Sequence, residues 1–205
     1  MQLRRRLLTL PSACAMTIAL LAVGCTTQPT AGTAPTAGAS RTTAFNATDT
    51  AWIQLMIPMN ERAQLLTDLA PSRKTDPAMA ALVTETGSRL REDMRRLRAL
   101  LQLSGVPDTR PHEGHNMPGM VSLTTIEKAS ATTGPAFDSI LTAALHAHFT
   151  HSRMLCASER IHGQAGQAKE LATHIATNTA EQISWLDRLR PPQPAPGGNL
   201  AATRP

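Results

Sequence analysis

Four stretches of this chain repeat apolar residues at steps of three and four, and proline or glycine interrupts the chain between them. That period is typical of amphipathic α-helices. The stretches run from about Asp49 to Ala70, Pro77 to Ser104, Ala136 to His162 and Ala165 to Leu189. We therefore expect an all-α protein, an up-and-down four-helix bundle.

Local signals mark where these helices begin and end. Asp76-Pro77 places a capping side chain before a proline at the first helical position, and Gly105 follows the last apolar residue of the same helix. Thr124 and Glu127 predict a capping box and a short additional helix from 124 to about 130.

Polar residues interrupt the apolar stripes of the last two long helices. His148, Asn178 and Glu181 fall on these stripes, and Asp93 occupies the position in the first helix pair that Glu181 has in the second. We expect them to face the interior, where buried polar groups need partners or a ligand. The chain is thus predicted to form two helical hairpins with pseudo-twofold symmetry, joined by a loop.

That loop carries two imidazoles and two thioethers within the segment 112–120. His112, His115, Met117 and Met120 are its donors, and glycine and proline between them exclude a regular helix or strand. Histidine and methionine together favour copper, because thioether sulfur is a useful ligand mainly for Cu(I). The alternative is a solvated linker in which the two methionines fill gaps against the helices.

The N-terminus resembles a bacterial lipoprotein signal. Three arginines precede an apolar run, and small residues stand directly before Cys25. This pattern predicts a signal peptide over residues 1–25, with lipid on Cys25 and the mature chain outside the cytoplasmic membrane. An ordinary signal peptide or an uncleaved anchor is the alternative. Residues 26–48 and 191–205, rich in small residues and proline, are predicted to be a disordered tether and a disordered tail.

Charge and aromatic content argue against nucleic acid as a partner. The chain has 20 Lys and Arg against 15 Asp and Glu. Three of the arginines belong to the predicted signal, so the mature chain has 17 basic against 15 acidic residues, a net charge of about +2. With no tyrosine, two tryptophans and three phenylalanines, little aromatic surface exists for stacking bases.

The chain has few residues in patterns that are typical of catalytic sites. A di-iron bundle needs Glu-x-x-His on two helices, and Glu159 with His162 supplies one such pair. Cys156 is the one cysteine after the predicted lipid site, and no cation on its stripe marks it as an activated thiolate. We expect the protein not to be an enzyme.

Several motifs together resemble the ferritin-like family known as domain of unknown function 305. The resemblance spans roughly residues 49–189 and is most specific in His115-Asn116-Met117-Pro118-Gly119-Met120 followed by Gly134-Pro135-Ala136-Phe137-Asp138. Met56-Ile57-Pro58 and Asp76-Pro77 also match. Members are typically extracytoplasmic, and some are linked to copper binding, so the resemblance implies these properties here.

The family's paired histidines and Gln-x-x-Glu motifs are degenerate in this chain. Met59-Asn60 and His148-Phe149 stand where the family has His-His, and Leu90-x-x-Asp93 and Asn178-x-x-Glu181 stand for Gln-x-x-Glu. A second metal site can be formed by His148, His151, Met56 and Met59, with Asn178, Glu181 and Asp93 as supporting residues. In the alternative, the methionines are core packing and His148 is hydrogen-bonded to Glu181.

The sequence therefore predicts a lipid-anchored extracytoplasmic protein that binds a soft metal ion, most of all copper, for sequestration or delivery. Its expected partners are the membrane, through Cys25, the metal ion and an envelope protein. The alternative function is a helical interaction module of the cell envelope that has lost the family's metal site.

Overall fold

The computed structural model describes residues 44–189, which form five α-helices. They are α1 (Ala47–Thr67), α2 (Pro77–Ser104), α3 (Leu123–Ser130), α4 (Pro135–His162) and α5 (Gly166–Leu189), with a 3₁₀ turn at Ala70–Ser72. No strand occurs among these residues. The prediction of an all-α fold with four long helices is confirmed.

The helix ends agree with the predicted ones, with two exceptions. Asp76 caps α2 by accepting backbone N–H bonds from Ala78 and Met79, and Gly105 ends α2 with φ +70°, as predicted. The predicted capping box at Thr124 is wrong, because Ser122 caps α3 two residues earlier, through the backbone N–H of Thr125.

The second exception concerns the start of the domain. Asn46 and Asp49 form a reciprocal capping box at α1, which therefore begins at Ala47. The predicted tether over 26–48 consequently extends too far, because residues 46–48 are the cap and first turn of α1. The signal peptide, Cys25, residues 26–43 of the tether and the tail at 191–205 lie outside the described residues.

The four long helices pack as two hairpins side by side. α1 packs most extensively on α2, and α4 packs on α5; α1 also contacts α4, and α2 contacts α5. The short α3 lies against α4 and α1. Among residues 44–189 no helix is long and apolar enough to cross a membrane.

The apolar interior is divided into two clusters, one toward each end of the bundle. One cluster contains Trp52 and Ile53 of α1, Leu97 of α2 and Ile175 of α5. The other contains, among others, Leu66, Leu82, Leu141 and Leu186, from the opposite halves of the same helices and from α4. Seven buried polar side chains lie in the middle turns of the four long helices: Asn60, Thr86, Asp93, His148, Ser152, Thr179 and Gln182. We call these seven residues the polar layer.

Candidate metal centre

The donor loop, residues 105–122 between α2 and α3, is a succession of tight turns. Backbone N–H groups of Glu113, His115 and Met120 donate to carbonyls three residues earlier, at 3.0, 3.3 and 3.0 Å. Gly114 and Gly119 have φ values of +84° and +74°, which side chains other than glycine adopt only with strain. The turns keep the four predicted donors on a compact, closely folded segment.

The four donors of this loop differ in burial. His115 is exposed, His112 and Met117 are half-buried, and Met120 is only 8% exposed. The imidazole rings of His112 and His115 are 6.5 Å apart between centroids and meet edge to face. His112 lines a groove between α1 and α4 rather than extending into solvent. The loop therefore brings its two histidines close together, while its last methionine packs inward.

The loop touches α4 at His151. A Cβ atom added to Gly119 would lie 2.2 Å from the Cβ of His151, so only glycine permits this approach. His148, one turn earlier on α4, is 1% exposed. The structure thus places the donor loop beside both helix histidines, which the sequence had assigned to a separate site.

The buried His148 is in the state that a metal ligand requires. Burial lowers the pKa of His148 to about 4. A hydrogen bond to the backbone of Gly119 acts in the opposite direction, and the charge of His151 lowers the pKa further. The imidazole is therefore neutral at pH 7 and keeps a free lone pair for a ligand or a donor. Its Nδ1 atom has no hydrogen-bond partner among the described residues.

Three other members of the polar layer also have an unpaired polar atom. They are Nδ2 of Asn60, Oδ1 of Asp93 and Oγ of Ser152. Burial raises the pKa of Asp93 to about 7, with nearby charges making smaller contributions of both signs. Buried polar atoms without partners are few in native proteins and indicate water, an ion or a strained functional group. The sequence indicated Asp93 and His148, but not Asn60 and Ser152.

Met56 and Met59 lie inside the bundle with no exposed surface. Met56 belongs to the apolar cluster of Trp52 and Leu97, so packing accounts for its position. Met59 belongs to neither apolar cluster and precedes Asn60 of the polar layer. Both methionines remain candidate ligands.

The prediction that Asn178 and Glu181 face the interior is wrong. Glu181 is exposed and accepts from Arg89 at 3.0 Å, while Asn178 contacts His174 on the same helix at 2.9 Å. Their neighbours Thr179 and Gln182 are buried instead. The buried face of α5 is shifted by about one residue relative to the predicted stripe, because packing against α2 and α4 sets the orientation of this helix. Glu181 therefore does not bind His148, as the core-packing alternative required.

A buried pair of carboxyl groups was missed by sequence analysis. Asp49 and Glu159 have no exposed surface, and the Asp49 carboxylate accepts N–H bonds from Gln164 at 3.0 Å and Ala165 at 3.1 Å. Burial would raise the pKa of Asp49, but hydrogen bonds from Asn46, Glu159, Ala165 and Gln164 outweigh it and lower the pKa. Burial and the adjacent Asp49 raise the pKa of Glu159 to about 8. Glu159 is therefore protonated at neutral pH. The sequence singled out Glu159 in its pair with His162, but it did not indicate the partner on α1.

The residues considered for catalysis do not converge. Glu159 is buried, whereas His162 is exposed, so the single Glu-x-x-His motif does not form a common site. Burial raises the pKa of the Cys156 thiol to about 12, which leaves it unreactive at neutral pH. Within residues 44–189, no three side chains among His, Cys, Asp and Glu are grouped where they could hold one metal ion. A metal centre in this part of the chain would thus need methionine or amide donors.

Solved structures with the same fold support the architecture. A crystal structure described as that of a presumptive secreted DUF305 protein from Streptomyces coelicolor is 16% identical, with a TM-score of 0.63, covering 69% of this chain and 91% of that one. A DUF305 fragment from Deinococcus radiodurans is 18% identical, with a TM-score of 0.64, covering 71% and 97%. At such identities the likeness establishes the fold alone.

The sequence comparisons identify the family. Among curated proteins, the search found no match. The profile of the family described as "domain of unknown function (DUF305)" matches residues 49–190, well over half of the chain. This chain therefore belongs to the DUF305 family.

Proposed function

We propose that this DUF305 protein binds a soft metal ion, copper in the Cu(I) state, outside the cytoplasmic membrane, for sequestration or delivery. The carrying observation is that the donor loop meets α4 at His151 and His148, where the polar layer has unpaired atoms. The loop, with its two imidazoles and two thioethers, therefore packs on the helix that carries two further imidazoles. This is the donor chemistry that Cu(I) prefers.

The residues fit copper better than zinc or iron. Zinc and iron sites are built mainly from His, Cys, Asp and Glu, and residues 44–189 contain no such group of three. Thioethers from Met117, Met120 or Met59 would have to complete the coordination, and Cu(I) accepts them. The neutral imidazole of His148 can bind without losing a proton.

The proposed location is extracytoplasmic and lipid-anchored. Support comes from the N-terminal sequence, in which an arginine-rich start and an apolar run precede Cys25. The Streptomyces coelicolor relative is described as a presumptive secreted protein. An anchor on Cys25 would hold the bundle at the outer face of the membrane, where copper from outside is met first.

The proposed role is non-enzymatic. A bound Cu(I) ion would be held and later released, and no reacting substrate is required. The separation of Glu159 from His162 and the unreactive state of Cys156 are consistent with this role.

The second candidate function is an interaction module of the cell envelope. It is favoured by exposed apolar side chains on α4, where Met154 is 62% exposed and Ile161 is 72% exposed. Met154 lines a shallow groove between α4 and α5 on a face away from the donor loop. A partner protein could cover this face without any metal.

Competition titration of Cu(I) against a chelator of known affinity tests the proposal. Three variants are compared with the parent protein: the loop variant with His112, His115, Met117 and Met120 replaced by alanine, His148→Ala, and His174→Ala. His174 is exposed on α5 and serves as the matched histidine control. We expect tight binding by the parent and the His174 variant.

The outcomes separate the candidate sites. Loss of binding in the loop variant alone places the ion in the loop, and loss in the His148 variant alone places it in the polar layer. Loss in both supports one shared site. Absence of binding by the parent protein contradicts the proposal and leaves the interaction module.

A further inference from the structure

One arginine binds the first part of the donor loop to the bundle. The guanidinium of Arg110 donates two hydrogen bonds to the carboxylate of Glu61 on α1, at 2.6 and 3.4 Å. Its Nε atom donates to Glu113 within the loop, at 2.7 Å. Gln54 also reaches the loop, at Pro107, but over 3.4 Å. Arg110 therefore makes the shorter of these contacts and joins two carboxylates at once.

Glu61 is suited to hold this arginine. The side chain is only 24% exposed, and Arg98 of α2 donates to the same carboxylate at 2.8 Å. Burial would raise the pKa of Glu61, but the bonds from Arg110 and Arg98 outweigh it and lower the pKa. The forked geometry of arginine fixes direction as well as distance, which a lysine cannot do.

Arg110 lies in a tight turn of the loop. Its backbone N–H donates to Asp108 Oδ1 at 3.3 Å, and its φ is +48°, in the left-handed region that residues other than glycine adopt mainly in turns. This turn lies two positions before His112 and directs the Arg110 side chain from the loop to Glu61 of α1.

The contact lies where it can set the course of the loop. Arg110 attaches the first part of the loop to α1 through Glu61, and Gly119 attaches the last part to α4 through His151. His112 and Met117 lie between these two attachments. The loop is thus fixed on both sides of the seam between α1 and α4.

We infer that Arg110 and Glu61 form a positioning clamp that holds the donor loop in its metal-binding conformation. The clamp rests on the proposed metal-binding function. Neither residue ligates the ion. They lower the cost of ordering the donors when the ion binds, as outer contacts of a metal site commonly do.

The test measures Cu(I) affinity by chelator competition in the full mature protein. Glu61→Gln keeps the shape but removes the charge, and Arg110→Lys keeps the charge but removes the fork. We expect each to weaken Cu(I) binding by about 10-fold or more, the usual effect of removing an outer contact of a metal site. The double variant should weaken it little further, because the two residues act as a unit.

Glu92→Gln is the matched control. Glu92 pairs with Arg95 on the exposed face of α2, and its removal should change affinity by less than about twofold. Hydrogen exchange of backbone amides in the metal-free proteins supplies a second measurement. Exchange at residues 111–120 should be faster in Glu61→Gln, while the α2 amides keep the parent rate and show that the fold is intact.

The possible results distinguish the clamp from the function it serves. Unchanged affinity in Glu61→Gln and Arg110→Lys, or unchanged loop exchange, overturns the clamp and leaves the metal-binding proposal standing. Weakening of equal size in Glu92→Gln also overturns it, because the effect would then be one of general charge. Absence of Cu(I) binding by the parent protein overturns both.

Discussion

Replacing Glu159 with glutamine tests whether the buried carboxyl pair carries a proton at neutral pH. Neither Asp49 nor Glu159 is exposed, and Asp49 already accepts backbone N–H bonds from the start of α5. Glu159 has no donor among the described residues, and burial followed by the proximity of Asp49 raises its pKa to about 8. In the unfolded chain the same group ionises near its reference value of 4.5.

The sign of the pH dependence follows from these two values. Between them the folded protein holds one proton more than the unfolded chain at Glu159, so the free energy of unfolding falls as pH rises. The slope is about 1.4 kcal/mol per pH unit. The contribution is complete below the unfolded pKa and is lost once pH has risen through the folded pKa of about 8. The total is on the order of a few kcal/mol.

Urea denaturation at several pH values between 5 and 8 measures this term. Glutamine has nearly the shape of protonated glutamate, can donate to Asp49 and cannot ionise. The free energy of unfolding of Glu159→Gln minus that of the parent should therefore rise by about 1.4 kcal/mol per pH unit. Asp93 and His148 titrate in both proteins and cancel in the difference.

Glu181→Gln is the control, because this exposed glutamate pairs with Arg89 at the surface. Its curve should run parallel to that of the parent over the same range. If the Glu159→Gln curve were also parallel, Glu159 would be ionised in the fold. The buried pair would then have to be described as two charges, contrary to the present reasoning.

Two further substitutions test close contacts in the bundle. Gly119→Ala should lower the free energy of unfolding, measured in denaturant, by about 1–3 kcal/mol, because the new Cβ would clash with His151. Gly105→Ala is the control, since Gly105 also has a positive φ but open space around it, and it should cost about 1 kcal/mol. Equal costs for the two variants would refute the close approach. Thr86→Val should cost about 1–3 kcal/mol, since it leaves the buried Gln182 Oε1 without its 2.7 Å donor. Adding Gln182→Leu should restore part of that loss, and a double variant as unstable as the sum of its parts would contradict the pairing.

Local signals in the sequence were sufficient to predict the helices. Asp76-Pro77 and Gly105 act through their own backbone and their nearest neighbours, so the limits of α2 follow from the chain alone. The capping box at Asn46 and Asp49 is equally local, but it was not recognised, and the tether was therefore extended into α1. Ser122 and Thr124 are both acceptable caps, so the local sequence does not decide between them for α3.

The candidate site was predictable only in part. Residue types alone indicated the loop donors and His148. The rotation of α5 was not predictable, because it depends on packing partners from α2 and α4, and the error of about one residue exchanged Glu181 for Gln182 in the interior. The contact between Gly119 and His151 joins segments far apart in the sequence, and no local pattern reports it.

Contacts between ionisable residues of distant segments were also not predictable from the sequence. Glu159 stood out in the sequence only through its pair with His162, and the sequence gives no sign that Asp49 of α1 lies beside it. The clamp between Arg110 and Glu61 is similar, since the two residues belong to different segments and each is common on a protein surface. Such pairs require the fold before they can be found.

X-ray absorption at the copper edge of the Cu(I)-loaded protein tests the central claim most directly. The account predicts both sulfur and nitrogen scatterers around the ion, with the sulfur contribution removed when Met117, Met120, Met56 and Met59 are replaced by leucine. A copper ion surrounded only by nitrogen and oxygen, or a protein that retains no copper, would contradict it.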